Sequence, residues 1–148
     1  AQEHIAIVTH VNIKVGGAHV VYGVHKHLML KDKFLDGPIG EGMLLKLYLY
    51  EKRGGFVRIV SVERADALDI HNPGTSSYIK ELKGTVNRKT DASFAFINQG
   101  SISCYISPVL VEKYKLKNGS QADFIAALVY NKKKDTWNWN AVAQLGTM

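Results

Sequence analysis

The sequence predicts an all-β protein made of two consecutive five-stranded units. Three observations support this. Short apolar or β-branched runs dominate the 148 residues. Glycine-rich or polar clusters such as "VGG", "DGPIGEG" and "EKRGG" separate them. The whole series then occurs a second time, giving an internal repeat of roughly 70–75 residues.

In chain order, the first five predicted strands are "HIAIVTHVNI" (4–13), "AHVVYGV" (18–24), "HLMLK" (27–31), "MLLKLYLY" (43–50) and "GFVRIVSVE" (55–63). A polar stretch, "ALDIHNPGTSS", follows. The second series is "IKELKGTVN" (79–87), "SFAFIN" (93–98), "ISCYIS" (102–107), "ADFIAALVY" (122–130) and "TWNWNAVAQL" (136–145). The two halves align by element order and spacing. Val11–Asn12 matches Val86–Asn87, the segment 18–24 matches 92–98, and the long strand ending at Tyr50 matches the one ending at Tyr130. Pro73 and Gly74 sit in the middle of the break, as a domain boundary requires. The expected organisation is a unit over 1–70, a linker over 71–75 and a unit over 76–148.

Composition narrows the function classes. With 46% hydrophobic and 22% charged residues, the chain has the make-up of a folded globular protein. No apolar run approaches the ~20 residues that cross a bilayer as a helix. Cys104 is the only cysteine, which precludes an internal disulfide and fits a reducing, cytoplasmic setting. It reads as a small buried hydrophobe. The net charge of +6 is lopsided. Residues 1–74 carry nine Lys/Arg against eight Asp/Glu, a net of +1, and residues 75–148 carry ten against five, a net of +5. A polyanion would therefore favour the second half.

Five short strands in about 70 residues suit a small closed barrel, the OB-fold. A single ten-stranded sandwich is the alternative. At "KGTVNRKTDASFAFINQGSISCYIS" (83–107) the second repeat resembles a cold-shock domain. Gly84-Thr85-Val86 fits that family's opening strand, Ser93-Phe94-Ala95-Phe96-Ile97 its aromatic strand, and Cys104-Tyr105-Ile106-Ser107 its third. "LKNGSQADFIAALVY" resembles the family's entry to strand four. The likeness runs over about residues 80–145, and more faintly over 4–64. The expected fold is thus two tandem OB-like, cold-shock-like barrels.

The resemblance implies that Phe94, Phe96 and Tyr105 form an outward platform on which bases of single-stranded RNA or DNA stack. Packing of the same rings in a core is the competing reading. Arg88, Lys89, Lys80 and Lys83 flank the platform, and Lys132, Lys133 and Lys134 occupy the hairpin between the last two strands, a loop that lines the ligand groove of OB-folds. Departures are visible. Ser93 and Ala95 replace the motif glycines, Ser107 stands where the family has His, and Arg88 or Lys89 lies nearest the place of its first-strand Trp. In the first repeat Val20 and Met29 replace two of the aromatics, with Tyr22 retained. That unit reads as a structural or protein-contacting barrel, with a protein partner expected through residues 1–70.

Trp137 and Trp139 lie two apart and share a strand face, where packing is the simpler role. His25 and His27 share a face near His19, but this is short of a metal set. No nucleotide-binding glycine loop, paired cysteines or nucleophile motif is present. The activity that the cold-shock resemblance implies is sequence-tolerant binding of single-stranded nucleic acid, RNA favoured, and no catalysis, metal or cofactor is expected. A protein-interaction scaffold built from OB barrels is the rival class.

Overall fold

The computed structural model describes residues 1–35 and 37–145. The end of the 76–148 range lies outside them. The chain divides into two compact units, with the boundary between Tyr78 and Ile79. No helix is long and apolar enough to cross a membrane among the described residues.

The first unit is a five-stranded sheet of β1 (Gln2–Asn12), β2 (Gly17–Gly23), β3 (Lys26–Lys31), β4 (Leu44–Glu51) and β5 (Val57–Arg64), in the order β3-β2-β1-β4-β5. Every pair is antiparallel. Strict alternation in β4 puts Leu45, Leu47 and Leu49 in the core, where they meet Ala6, Val8, Ala18, Val20, Tyr22 and Leu30. No ladder joins β3 to β5 among the described residues, so this sheet is a half-barrel rather than a closed one.

Residues 71–75, expected as a linker, are part of this unit. Asp66 and Asp69 form a capping box around a 3-10 turn, Ala67–His71. A second turn, Thr75–Ser77, follows, with Thr75 buried. Tyr78 is buried too, and its hydroxyl donates to the Ile5 carbonyl at 2.6 Å. That bond ties the segment down and places the division between units at Tyr78/Ile79.

The second unit is a closed barrel. It comprises β6 (Ile79–Asn87), β7 (Ala95–Gln99), β8 (Ile102–Ile106), α1 (Pro108–Tyr114), β9 (Gln121–Asn131) and β10 (Thr136–Gln144). The strand order is β10-β8-β7-β6-β9, and β9 pairs back onto β10. Closure rests on a parallel contact between β8 and β10 at Tyr105 and Asn140. Ile97, Cys104 and Ile106 fill the interior with Leu82, Val86, Ala95, Phe124 and Ala126. Burial pushes the Cys104 thiol up to about 12, so it behaves as a packed apolar group.

Two features make this closure possible. β6 pairs with β9 over 79–85 and then with β7 from Val86 onward, so it must bend between partners. Gly84 sits at that bend. A Cβ there would lie 2.6 Å from the Asn98 carbonyl oxygen, which only glycine avoids. The second feature is α1, which forms where the sequence shows only a mixed segment. Ser107 caps it by accepting from the Leu110 amide, Pro108 occupies its first turn, and Lys115 ends it at φ 50°. The helix brings Val111 into the barrel core, and Leu116, just past its cap, joins it there.

Candidate functional site

β7 and β8 are joined by a tight turn, and their register sets Phe96 directly opposite Tyr105. With Ala95, Ile97, Cys104 and Ile106 turned inward, alternation sends Phe94, Phe96 and Tyr105 to the other side. The three rings form a triangle with every centroid separation 5.8 Å. Phe94 is 38% exposed; Phe96 and Tyr105 are half-buried, partly by one another.

Two concavities meet at these rings. One, of about 600 Å³, is lined by Phe94, Phe96 and Tyr105 together with Lys132, Lys133, Lys134 and the polar residues Asn131, Asn138 and Asn140. The other, of about 650 Å³, shares Phe94 and Phe96 and is walled by Asn87, Arg88, Lys89, Thr90 and Asn118. Phe94, Phe96, Tyr105, Arg88, Lys89, Lys132, Lys133 and Lys134 thus converge from three separate segments, the β6–β7 loop, the β7–β8 hairpin and the β9–β10 loop, while Lys80 and Lys83 do not join them.

The basic residues are not equivalent. The Arg88 guanidinium donates to the Ala92 carbonyl at 2.9 Å and the Leu116 carbonyl at 3.1 Å, so it braces the β6–β7 loop. Its backbone amide donates to Asn118. Lys83 lies in neither concavity. Its ammonium sits 3.4 Å from Glu81 and 3.9 Å from Asp123 on the outer side of β6 and β9. Lys80 is also elsewhere, with its ammonium 5.6 Å from the centre of the Trp139 ring. Lys89 and the three loop lysines remain beside the rings. The loop itself is ordered by Asn131, whose side-chain oxygen accepts from the Lys133 and Lys134 amides, and by a Tyr130–Asp135 hydrogen bond.

Trp139 packs against the barrel core and Trp137 against Tyr130, leaving the opposite face of β10 to Asn138 and Asn140. Sequence reasoning passed over these two. Asparagine is depleted in strands, so "WNWN" inside a strand was the available signal.

Among its described residues the first unit carries no matching platform. Tyr22 and Val20 are core residues, 6% and 0% exposed. If Asn12 matches Asn87, the ladder partners Gly17 and Phe96 occupy equivalent places. The expected alignment of Tyr22 with Phe96 is therefore off by five residues, an odd slip that reverses the face. The exposed side of β2 and β3 instead carries His19 and His27, stacked at 6.4 Å. No group of three metal-ligating side chains is found among the described residues.

A five-stranded barrel closed by one parallel contact, with a short helix between its third and fourth strands, has the architecture of an OB barrel, and the aromatic face on its second and third strands resembles that of a cold-shock domain. Residues 80–144 match the family described as S1/CSD-like domain 2 of the TOTE conflict systems. No curated protein matches the sequence. Among solved structures, the chain is similar to a multidomain protein with nucleic acid binding domains from Streptococcus pneumoniae TIGR4, at 17% identity and a TM-score of 0.32, over 99% of this chain and 53% of that one. It is also similar to Drosophila Unr CSD456, at 12% identity and a TM-score of 0.36, over 100% of this chain and 64% of that one. The chain thus spans about half to two thirds of the length of these structures.

Proposed function

We propose that the second unit binds single-stranded nucleic acid, with bases stacked on Phe94, Phe96 and Tyr105 and phosphates met by Lys89, Lys132, Lys133 and Lys134. One observation supports this most directly: three adjoining rings form the shared wall of two open concavities whose rims carry those lysines. Aromatic rings accept any base face, and each stack contributes ~1–3 kcal/mol. Lysine heads supply the sequence-independent attraction to phosphate. The match to an S1/CSD-like family points the same way. RNA is placed ahead of DNA on the cold-shock resemblance alone. Nothing in the arrangement calls for a reaction, and the activity proposed is binding.

The test is a titration of the full chain with short single-stranded RNA and DNA, read by tryptophan and tyrosine fluorescence at two salt concentrations. Binding should weaken steeply with salt, because each neutralised phosphate on a single strand contributes ~0.7 to the slope of log K against log salt. An unchanged signal with either nucleic acid would rule the proposal out and favour the scaffold class.

A further inference from the structure

Asparagine is concentrated around the rings. Residues 79–145 contain six: Asn87, Asn98, Asn118, Asn131, Asn138 and Asn140. Five of them, all but Asn98, line the two concavities. Two have work within the fold, since Asn118 accepts from the Arg88 amide and Asn131 from the lysine loop. Asn138 and Asn140 are different. They lie two apart in the interior of β10, where threonine or valine would serve the strand better. A choice that opposes local propensity without a packing gain is characteristic of functional sites.

Their placement is specific. Asn140 is the ladder partner of Tyr105, so its carboxamide stands beside that ring. The Asn138 amide donates to the Thr136 hydroxyl at 2.9 Å, which orients the group and leaves its oxygen as an acceptor. The Asn140 side-chain carboxamide makes no hydrogen bond to another described residue. A carboxamide offers one donor and one acceptor side by side, the pattern of a base edge and not of a phosphate, which only accepts.

We propose that Asn138 and Asn140 read the edge of the base stacked at Tyr105, so that the barrel discriminates between bases at one nucleotide position. This rests on the nucleic-acid reading above and departs from its sequence tolerance. A stacked base held against a directional donor–acceptor pair is favoured only when its own edge is complementary. A mismatched base leaves a half-buried amide unpaired.

The experiment measures full-chain affinity for oligonucleotides of one length made of A, C or U, and for an abasic strand of that length. The wild-type chain should bind the best base about tenfold tighter than the worst, the scale of one good base-edge pair. In Asn140→Leu, and in Asn138→Ala, the spread should shrink to about twofold while all three bases still bind. If Asn140→Leu does not fold, Asn140→Thr, a strand-favouring residue, replaces it. The inference is overturned if the wild-type chain binds all three alike, or if the spread survives in both variants. Absence of binding to every strand would instead remove the nucleic-acid reading itself, and this inference with it.

Discussion

Phe96 touches both Phe94 and Tyr105 at 5.8 Å, yet it is not part of the barrel interior. Phe96→Ala should therefore lower single-strand affinity by ~1–3 kcal/mol. Its cost in denaturant unfolding should stay below the ~3–5 kcal/mol of a fully buried phenylalanine. Tyr22 inverts this. It packs among Val20, Leu30 and Leu47, so Tyr22→Ala should destabilise by an amount on the order of 3–5 kcal/mol, measurable as an early unfolding transition. His4 adds a pH dependence. Its pKa is lowered mainly by burial and secondarily by Lys26, while Glu51 and a backbone bond at Tyr22 pull it upward. The unfolded chain then takes up the proton first. Stability should be full above the ordinary value of about 6.5 and decline as pH falls below it. In unfolding curves from pH 7.5 downward, His4→Gln should flatten that decline.

The β9–β10 loop contributes charge as an element. Asn131 fixes its backbone, while Lys132, Lys133 and Lys134 remain exposed beside the rings. Replacing all three by Gln should weaken binding to every base alike and lower the salt slope by about 2, roughly 0.7 for each phosphate that is no longer neutralised. An unaltered slope would place the loop outside the path of the strand. β6 depends on a single glycine for its bend. Gly84→Ala would press a methyl onto the Asn98 carbonyl and should destabilise the barrel by ~1–3 kcal/mol, visible as a lowered midpoint in urea.

For the whole molecule, charge and closure fall on the same side. Residues 79–148 carry ten basic against five acidic side chains, a net of +5, and residues 1–78 carry nine against eight, a net of +1. The second unit is a closed barrel with its own core and holds the ring triangle. Expressed alone, residues 79–148 should retain most of the nucleic-acid affinity of the chain, and residues 1–78 should retain little. Equal binding by residues 1–78 would mean that the roles assigned to the two units are wrong.

Strand positions were legible in the sequence because the signal is local: period-two alternation bounded by glycine and polar turns. The meeting of Phe94, Phe96 and Tyr105 was legible for the same reason, since one hairpin of fixed register brings them together. The charge asymmetry needed only counting. Facing and partnership were another matter. Tyr22 keeps the right spacing, but the β1–β2 register turns it inward, and no local pattern encodes that register. Lys83 and Arg88 look as available in sequence as Lys89. Only folding sets Lys83 beside Asp123 and spends the Arg88 guanidinium on two carbonyls. Asn140 reaches Tyr105 across a parallel contact between β8 and β10, strands separated in sequence by α1 and β9. The sequence by itself determined two runs of five strands and an aromatic, basic second half. Tertiary structure alone decided which sheet closes and which face each ring occupies. It also decided which polar side chains stay open to a ligand, because each of these depends on pairing between residues far apart in the chain.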